Sequence, residues 1–211
     1  LEPKDLLNSG GAGEARPVAL EDRDRWEGRY RSGRRSPDEP PSEFLVAHAD
    51  LISGRVLDVA AGAGRNALFL ARRGAAVEAL DISFTGLRLA RQEAAAEGLT
   101  LLAAQVDLEN FPLPRRRYDA IINIRYLQRS LFVPFRQAIK PGGIILFETF
   151  LIDQQAISEH RTAAYLLQRG ELQAAFSDCD ILIYEEGFYQ TSCGPSYLAR
   201  MIARCTVREQ D

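Results

Sequence analysis

The segment 55–67, RVLDVAAGAGRNA, joins an apolar run to a helical pattern through a loop containing the closely spaced Gly62 and Gly64. Val56, Leu57 and Val59 suit a buried strand, and 66–73 returns to helical apolar spacing. A strand that enters a helix through two such glycines is the first unit of an open α/β fold. The glycines allow a tight turn and let a ligand approach the backbone at the strand's carboxyl end.

The rest of the chain keeps this alternation. Strands are expected at 55–60, 76–80, 101–106, 118–124 and 144–150, and helices at 66–73, 84–97 and 127–139, with Gly74 and Gly98 as helix stops. Lys140, Pro141, Gly142 and Gly143 read as a cationic helix end followed by a tight turn. Such alternation predicts a mostly parallel sheet covered by helices on both faces. The pattern changes after a short helix at 170–176. Strands at 180–185 and 197–207 are separated by a loop at 187–195, too short for a crossover helix, so these two are expected to be antiparallel neighbours.

Asp58 bears on the ligand. A carboxylate at the strand's end repels a pyrophosphate and attracts a cation, by about 4 kcal/mol per unit-charge pair at ~4 Å and an effective dielectric of ~20. S-adenosylmethionine, with its sulfonium and ammonium, fits that preference. Asp81 closes the next apolar run at about the 20-residue spacing of a ribose-binding carboxylate, with Ile82 as an apolar neighbour for the adenine. The alternative role for Asp81 is a helix N-cap, which Ser83 could take instead. The same loop also satisfies G-x-G-x-x-A through Gly62, Gly64 and Ala67, the nicotinamide dehydrogenase fingerprint, which leaves an oxidoreductase as the second reading. A non-catalytic S-adenosylmethionine-binding module is the third.

On these residues the chain resembles the class I S-adenosylmethionine-dependent methyltransferases over roughly 42–207. Asp58, Gly62 and Gly64 match their first motif, and Ala60 stands where the first glycine is usual. The resemblance implies a doubly wound, mostly parallel seven-stranded sheet with a C-terminal antiparallel strand, a Rossmann-like methyltransferase fold. It implies S-adenosyl-L-methionine as cofactor, held by Asp58, Ala60, Gly62, Gly64, Asn66, Asp81, Ile82, Asp107, Leu108 and Asn123, with Asp107 on the adenine amino group and Leu108 flanking the ring. Trp26 and Tyr30 lie at helical spacing, and their region is more loosely similar to the segment that covers the cofactor in the tellurite-resistance and thiopurine types. Aromatic faces near a sulfonium gain about 0.5 to 2 kcal/mol of cation–π energy; a plain hydrophobic anchor is the other reading.

The run 124–132, IRYLQRSLF, follows the fourth strand, where an acceptor meets the methyl group. Arg125 and Arg129 could pair with an acceptor anion and Tyr126 could stack on it or orient it; the other reading, favoured for Arg129, is a solvated arginine on the following helix. Glu148 is either a base tuned by apolar company or an outward-facing strand residue. His160 could approach the acceptor from its loop, while His48 reads as a helix residue near the surface. The two histidines lack a metal-ligand pattern, so no metal site is expected.

With 46% hydrophobic and 26% charged residues and a net charge of -3, the 211-residue chain reads as an ordinary globular protein. That balance argues against a general nucleic-acid or membrane-surface binder. The apolar runs are too short to span a membrane and the start lacks a signal-peptide core, which predicts a cytoplasmic protein acting on a small-molecule substrate, as a monomer or weak dimer. Cys179, Cys193 and Cys205 are odd in number and read as reduced thiols. Residues 1–41 are expected to form a mobile tail, to about residue 20, and a lid with a short helix at 21–35. A helix at 42–51 then opens the methyltransferase domain, 42–211.

Overall fold

The computed structural model describes residues 16–158 and 162–206. Its elements run α1 (Arg16–Arg31), α2 (Glu43–Ala47), β1 (Arg55–Val59), α3 (Arg65–Arg72), β2 (Ala76–Asp81), α4 (Phe84–Ala96), β3 (Leu101–Gln105), β4 (Tyr118–Ile124), α5 (Phe132–Ala138), β5 (Ile139–Phe150), α6 (Glu171–Ala175), β6 (Asp180–Thr191) and β7 (Gly194–Cys205). One seven-stranded sheet has the order β3-β2-β1-β4-β5-β7-β6. The strands β1 to β5 pair in parallel, and β7 runs antiparallel to both β5 and β6. Strand order reverses between β1 and β4, so the carboxyl ends of these two strands border the crevice in which doubly wound sheets bind ligands.

Central position explains the composition of β1. Its Val56, Leu57 and Val59 are fully buried because helices cover both sheet faces. On one face Leu57 and Val59 pack with Phe132, Phe135, Phe147 and Phe176; on the other Val56 packs with Phe44, Leu68, Leu70 and Leu87. Ser83 caps α4 by accepting a hydrogen bond from the Gly86 amide, so the helix start does not need Asp81 for that role.

Several expectations are corrected. The N-terminal helix begins at Arg16, ahead of the expected 21, with Pro17 in its first turn, where a missing amide is harmless. Residues 1–15 of the expected tail lie outside the described residues. The expected helix at 42–51 breaks at His48, whose Nδ1 lies 2.9 Å from the Phe44 carbonyl, and resumes as a single turn at Ala49–Leu51. The helix expected at 127–139 is a single turn at Arg129–Leu131 followed by α5, which ends at Ala138 because Ile139 already pairs with Tyr118. The Lys140 to Gly143 turn therefore lies inside β5 as an irregularity. The loop expected at 187–195 is strand on both sides of a two-residue turn, with Phe188 opposite Tyr197. Those rings meet edge to face at 5.3 Å, and the contact extends the hairpin beyond the apolar run visible in sequence.

The same pairing overturns the thiol expectation. Asp180 lies opposite Arg204, which brings Cys179 and Cys205 to a Cα separation of 4.4 Å, and they form a disulfide. Only Cys193, exposed at the hairpin turn, remains free. Spacing along the chain could not reveal a pair created by strand register. The bridge closes a loop of 26 residues, and loops of this size are stabilised by about 2 to 4 kcal/mol. We therefore expect the double substitution Cys179→Ser, Cys205→Ser to lower unfolding free energy by about that amount in urea titrations. Reductant should shift the wild-type curve toward the variant's and leave the variant's curve in place.

Candidate cofactor and acceptor site

After β1 the backbone enters the left-handed region at Ala60 (φ 54), Gly62 (φ 59) and Gly64 (φ 82), and α3 starts from Gly64. For alanine this conformation costs about 1 to 2 kcal/mol. Arg125, just beyond β4, is also left-handed at φ 63, and its amide donates to the Glu148 carbonyl at 2.7 Å. The register pairs Val59 with Asn123, so the two strained turns lie side by side at the crevice. Strain of this kind persists where the surroundings over-determine it, and it concentrates at ligand sites.

Two carboxylates sit under the glycine loop. Asp58 is 1% exposed and its Oδ2 is buried without a hydrogen-bond partner. Burial, with a further push from Asp81, raises its pKa to about 8, against smaller opposing effects of Arg65 and the Ala67 amide. Asp81 accepts from the Gly62 amide at 2.8 Å through Oδ2 and from the Ser83 amide at 2.7 Å through Oδ1. Its pKa is also raised, chiefly by burial. It is thus a staple for the loop as well as a candidate ribose acceptor, a role the sequence reading did not foresee.

From above, α1 covers the loop. A Cβ placed on Gly62 would fall 2.1 Å from the Tyr30 hydroxyl oxygen, so the phenol is seated where only glycine fits. Burial raises the Tyr30 pKa, with Asp81 adding to the effect. Trp26 stacks beside Tyr30 at 6.2 Å, and Glu27 accepts from the Thr85 amide at 3.1 Å, docking α1 on the start of α4.

The remaining candidates gather at the same edge with local partners. Asn66 accepts from the Ser42 amide at 2.9 Å, and Asn123 donates to the Tyr126 carbonyl at 2.7 Å. The Ile82 carbonyl accepts from Gln105, and Asp107 accepts from the Glu109 amide and the Asn110 side chain. Leu108 is buried.

On the acceptor side Glu148 is neither outward-facing nor a free base. It is 1% exposed: Oε1 accepts from Arg125 Nε at 3.1 Å and Ser42 Oγ at 3.2 Å, and Oε2 accepts from Arg200 Nε at 2.8 Å. Burial lowers the Arg125 pKa, against the pull of Glu148. Arg129 is not a freely solvated arginine, because it binds Glu171 and the carbonyls of Ala164 and Leu166. Tyr126 donates to Gln128, and its pKa is raised by burial, then by Glu109 and Asp107. His160 lies outside the described residues. Sequence reasoning missed Arg200, although a lone arginine within the apolar run 198–203 is a signal that could have found it. Among the described residues, no group of three or more His, Cys, Asp or Glu is placed to hold a metal ion.

Residues 56–143 match the family model described as a methyltransferase domain. The chain is 33% identical over 113 residues to the ubiquinone biosynthesis O-methyltransferase of Nitrosococcus oceani, covering 51% of this chain and 48% of that protein. It is 32% identical over 109 residues to the fatty-acid O-methyltransferase of Mycolicibacterium smegmatis, covering 48% and 39%. The matched core, 56–143, is thus similar to methyltransferase domains over somewhat less than half of the chain. The crystal structure of TehB from Haemophilus influenzae superposes with a TM-score of 0.70 at 21% identity, over 86% of this chain and 66% of that one, and shares the fold. The chain spans about half the length, or less, of the curated relatives it matches.

The cofactor such a domain takes is S-adenosylmethionine, which displaces the nicotinamide reading of Gly62, Gly64 and Ala67. The residues fit it. The unpartnered Asp58 oxygen is a buried place for positive charge, and each Asp81 oxygen keeps acceptor capacity after its one amide bond. No described helix is long and apolar enough to cross a membrane.

A pH dependence follows from Asp58. Below about pH 8 the free protein holds a proton there; a bound cation favours the ionised form and expels it. Affinity for S-adenosylmethionine should therefore rise as pH increases toward 8, by up to about tenfold per pH unit, and level off above it. Calorimetric titrations in buffers of different ionisation enthalpy should report proton release at pH 7 that is absent in Asp58→Asn.

Proposed function

We propose that the protein transfers a methyl group from S-adenosylmethionine to a small, anionic acceptor held by Arg125 and Tyr126. The observation that carries this reading is the pair of left-handed turns at Ala60 and Arg125, side by side at the ends of β1 and β4. They put the glycine loop and an under-neutralised guanidinium on one crevice.

In this reading Asp58 and Asp81 bind the cofactor's positive charge and ribose, and Ile82, Asp107 and Leu108 border its adenine. Within residues 1–41, the segment carrying Trp26 and Tyr30 acts as a lid, with Tyr30 closing on Gly62. The bound cofactor supplies an electrophilic methyl group on sulfonium. The chain supplies alignment and a dry site: α1 excludes water above the loop, and Arg125 fixes the acceptor by charge-assisted hydrogen bonds. Tyr126 stays protonated and, anchored on Gln128, presents a fixed phenol to the acceptor. Of the two relatives described above, one is named a fatty-acid O-methyltransferase, in keeping with an anion at this position.

Arg125→Ala is expected to reduce kcat/KM for the acceptor by the ~1.5 to 3 kcal/mol of a charged hydrogen bond, about 10- to 150-fold, with cofactor affinity nearly unchanged. A panel of anionic, neutral and cationic acceptors scored by S-adenosylhomocysteine release measures it. A neutral or cationic best acceptor turned over normally by the variant overturns the anion reading, while the methyl-transfer reading stands.

A further inference from the structure

Glu148 is shared by two arginines, so the cluster of Arg125, Glu148 and Arg200 carries one surplus positive charge. It is well sealed: the three side chains are 17%, 2% and 11% exposed. A surplus cation in such a place is costly without a counter-charge. The nearest further partner of Glu148 is the neutral hydroxyl of Ser42.

The guanidinium groups are presented in a particular way. Their faces are covered by rings, Arg125 over Phe150 at 4.7 Å and Arg200 over Tyr189 at 3.7 Å and Phe44 at 5.4 Å. Their Nε edges are taken by the two oxygens of Glu148. Among the described residues, Arg200 also makes a side-chain hydrogen bond with Tyr189, and Arg125 has no further hydrogen-bond partner than Glu148 for its side chain. Only guanidinium edges remain available, and such an edge pairs best with a coplanar carboxylate.

We propose that Arg200 is a second arm of the acceptor site, that Arg125 and Arg200 together bind one carboxylate of an acid with an apolar body, and that Glu148 is the positioning residue aligning both forks. One negative charge neutralises the cluster, where a dianion would reverse its sign. Tyr189, stacked on Arg200, lies beside the forks. The inference rests on the proposed acceptor reading and deepens it by naming the charged group and a second residue that binds it.

The test is a fluorine NMR titration of the full chain with para-fluorobenzoate and its neutral counterpart para-fluorobenzamide, with and without S-adenosylhomocysteine. Wild type is expected to bind the acid at least about tenfold more tightly than the amide, and Arg200→Gln to lose about tenfold in acid affinity with S-adenosylhomocysteine affinity unchanged. Glu148→Gln keeps an acceptor oxygen but removes the opposing charge, and is expected to reduce the acid-over-amide preference by less than Arg200→Gln does; an acid affinity as low as in Arg200→Gln together with a lowered melting temperature overturns the positioning role. If Arg200→Gln does not fold, Arg200→Lys keeps the charge without the fork and should still weaken the acid at least about threefold. Equal binding of acid and amide, no binding of the acid, or an unaltered acid affinity in the Arg200 variant overturns the proposal. Loss of acid binding in Arg125→Ala with wild-type affinity in Arg200→Gln overturns only this inference and leaves the single-arginine acceptor reading in place.

Discussion

The carboxylate of Asp81 ties the glycine loop of one βα unit to the turn of the next. By accepting from Gly62 and Ser83 it fixes the loop's height above the sheet and the point from which α4 departs. The seat of Tyr30 on Gly62 depends on that height, and the docking of Glu27 on Thr85 depends on where α4 starts. A buried carboxylate with two amide donors is a strong anchor, because removing it leaves two desolvated N–H groups unpaired. Its proximity to Asp58 adds like-charge repulsion, which a bound cation relieves.

Across the crevice Glu148 has the corresponding part. It gathers β4 through Arg125, β7 through Arg200 and the entry to α2 through Ser42, whose amide in turn is held by Asn66 of α3. One side of the crevice therefore concentrates acidic groups and the other a surplus cation. A cationic cofactor and an anionic acceptor would each find the opposite sign waiting, with little reorganisation of the protein on binding.

Those parts of the fold governed by local pattern were legible in the sequence. The parallel strands and their glycine stops declare themselves because a doubly covered strand must be apolar and a helix must end. The C-terminal antiparallel pair followed from connection length alone. What escaped depends on register: the Cys179–Cys205 bridge, the extension of β6 and β7 past Gly187, and the meeting of Glu148 with Arg200 all join residues whose proximity arises only after strands pair. At the candidate site, spacing singled out Asp58, Gly62 and Asp81, but the part Asp81 takes as loop staple was not foreseen, since backbone amides leave no mark in a sequence. That Arg129 is tied down rather than solvated could be seen only in three dimensions, because Glu171 lies far along the chain.

The turn between β6 and β7 reaches back to the start of the fold. The Ser192 amide donates to Glu43 at 2.9 Å, and Cys193 Sγ lies 3.6 Å from Arg65, which also binds the Pro40 carbonyl. Through Arg65, which directly follows Gly64, these few tip contacts reach the edge of the glycine loop. Lengthening, shortening or recomposing the tip would reshape the rim near α2 and α3 and act on the Asp58 half through Arg65. A change of length in that one terminal turn would alter what can enter the crevice, with Arg65 as its link to the cofactor half.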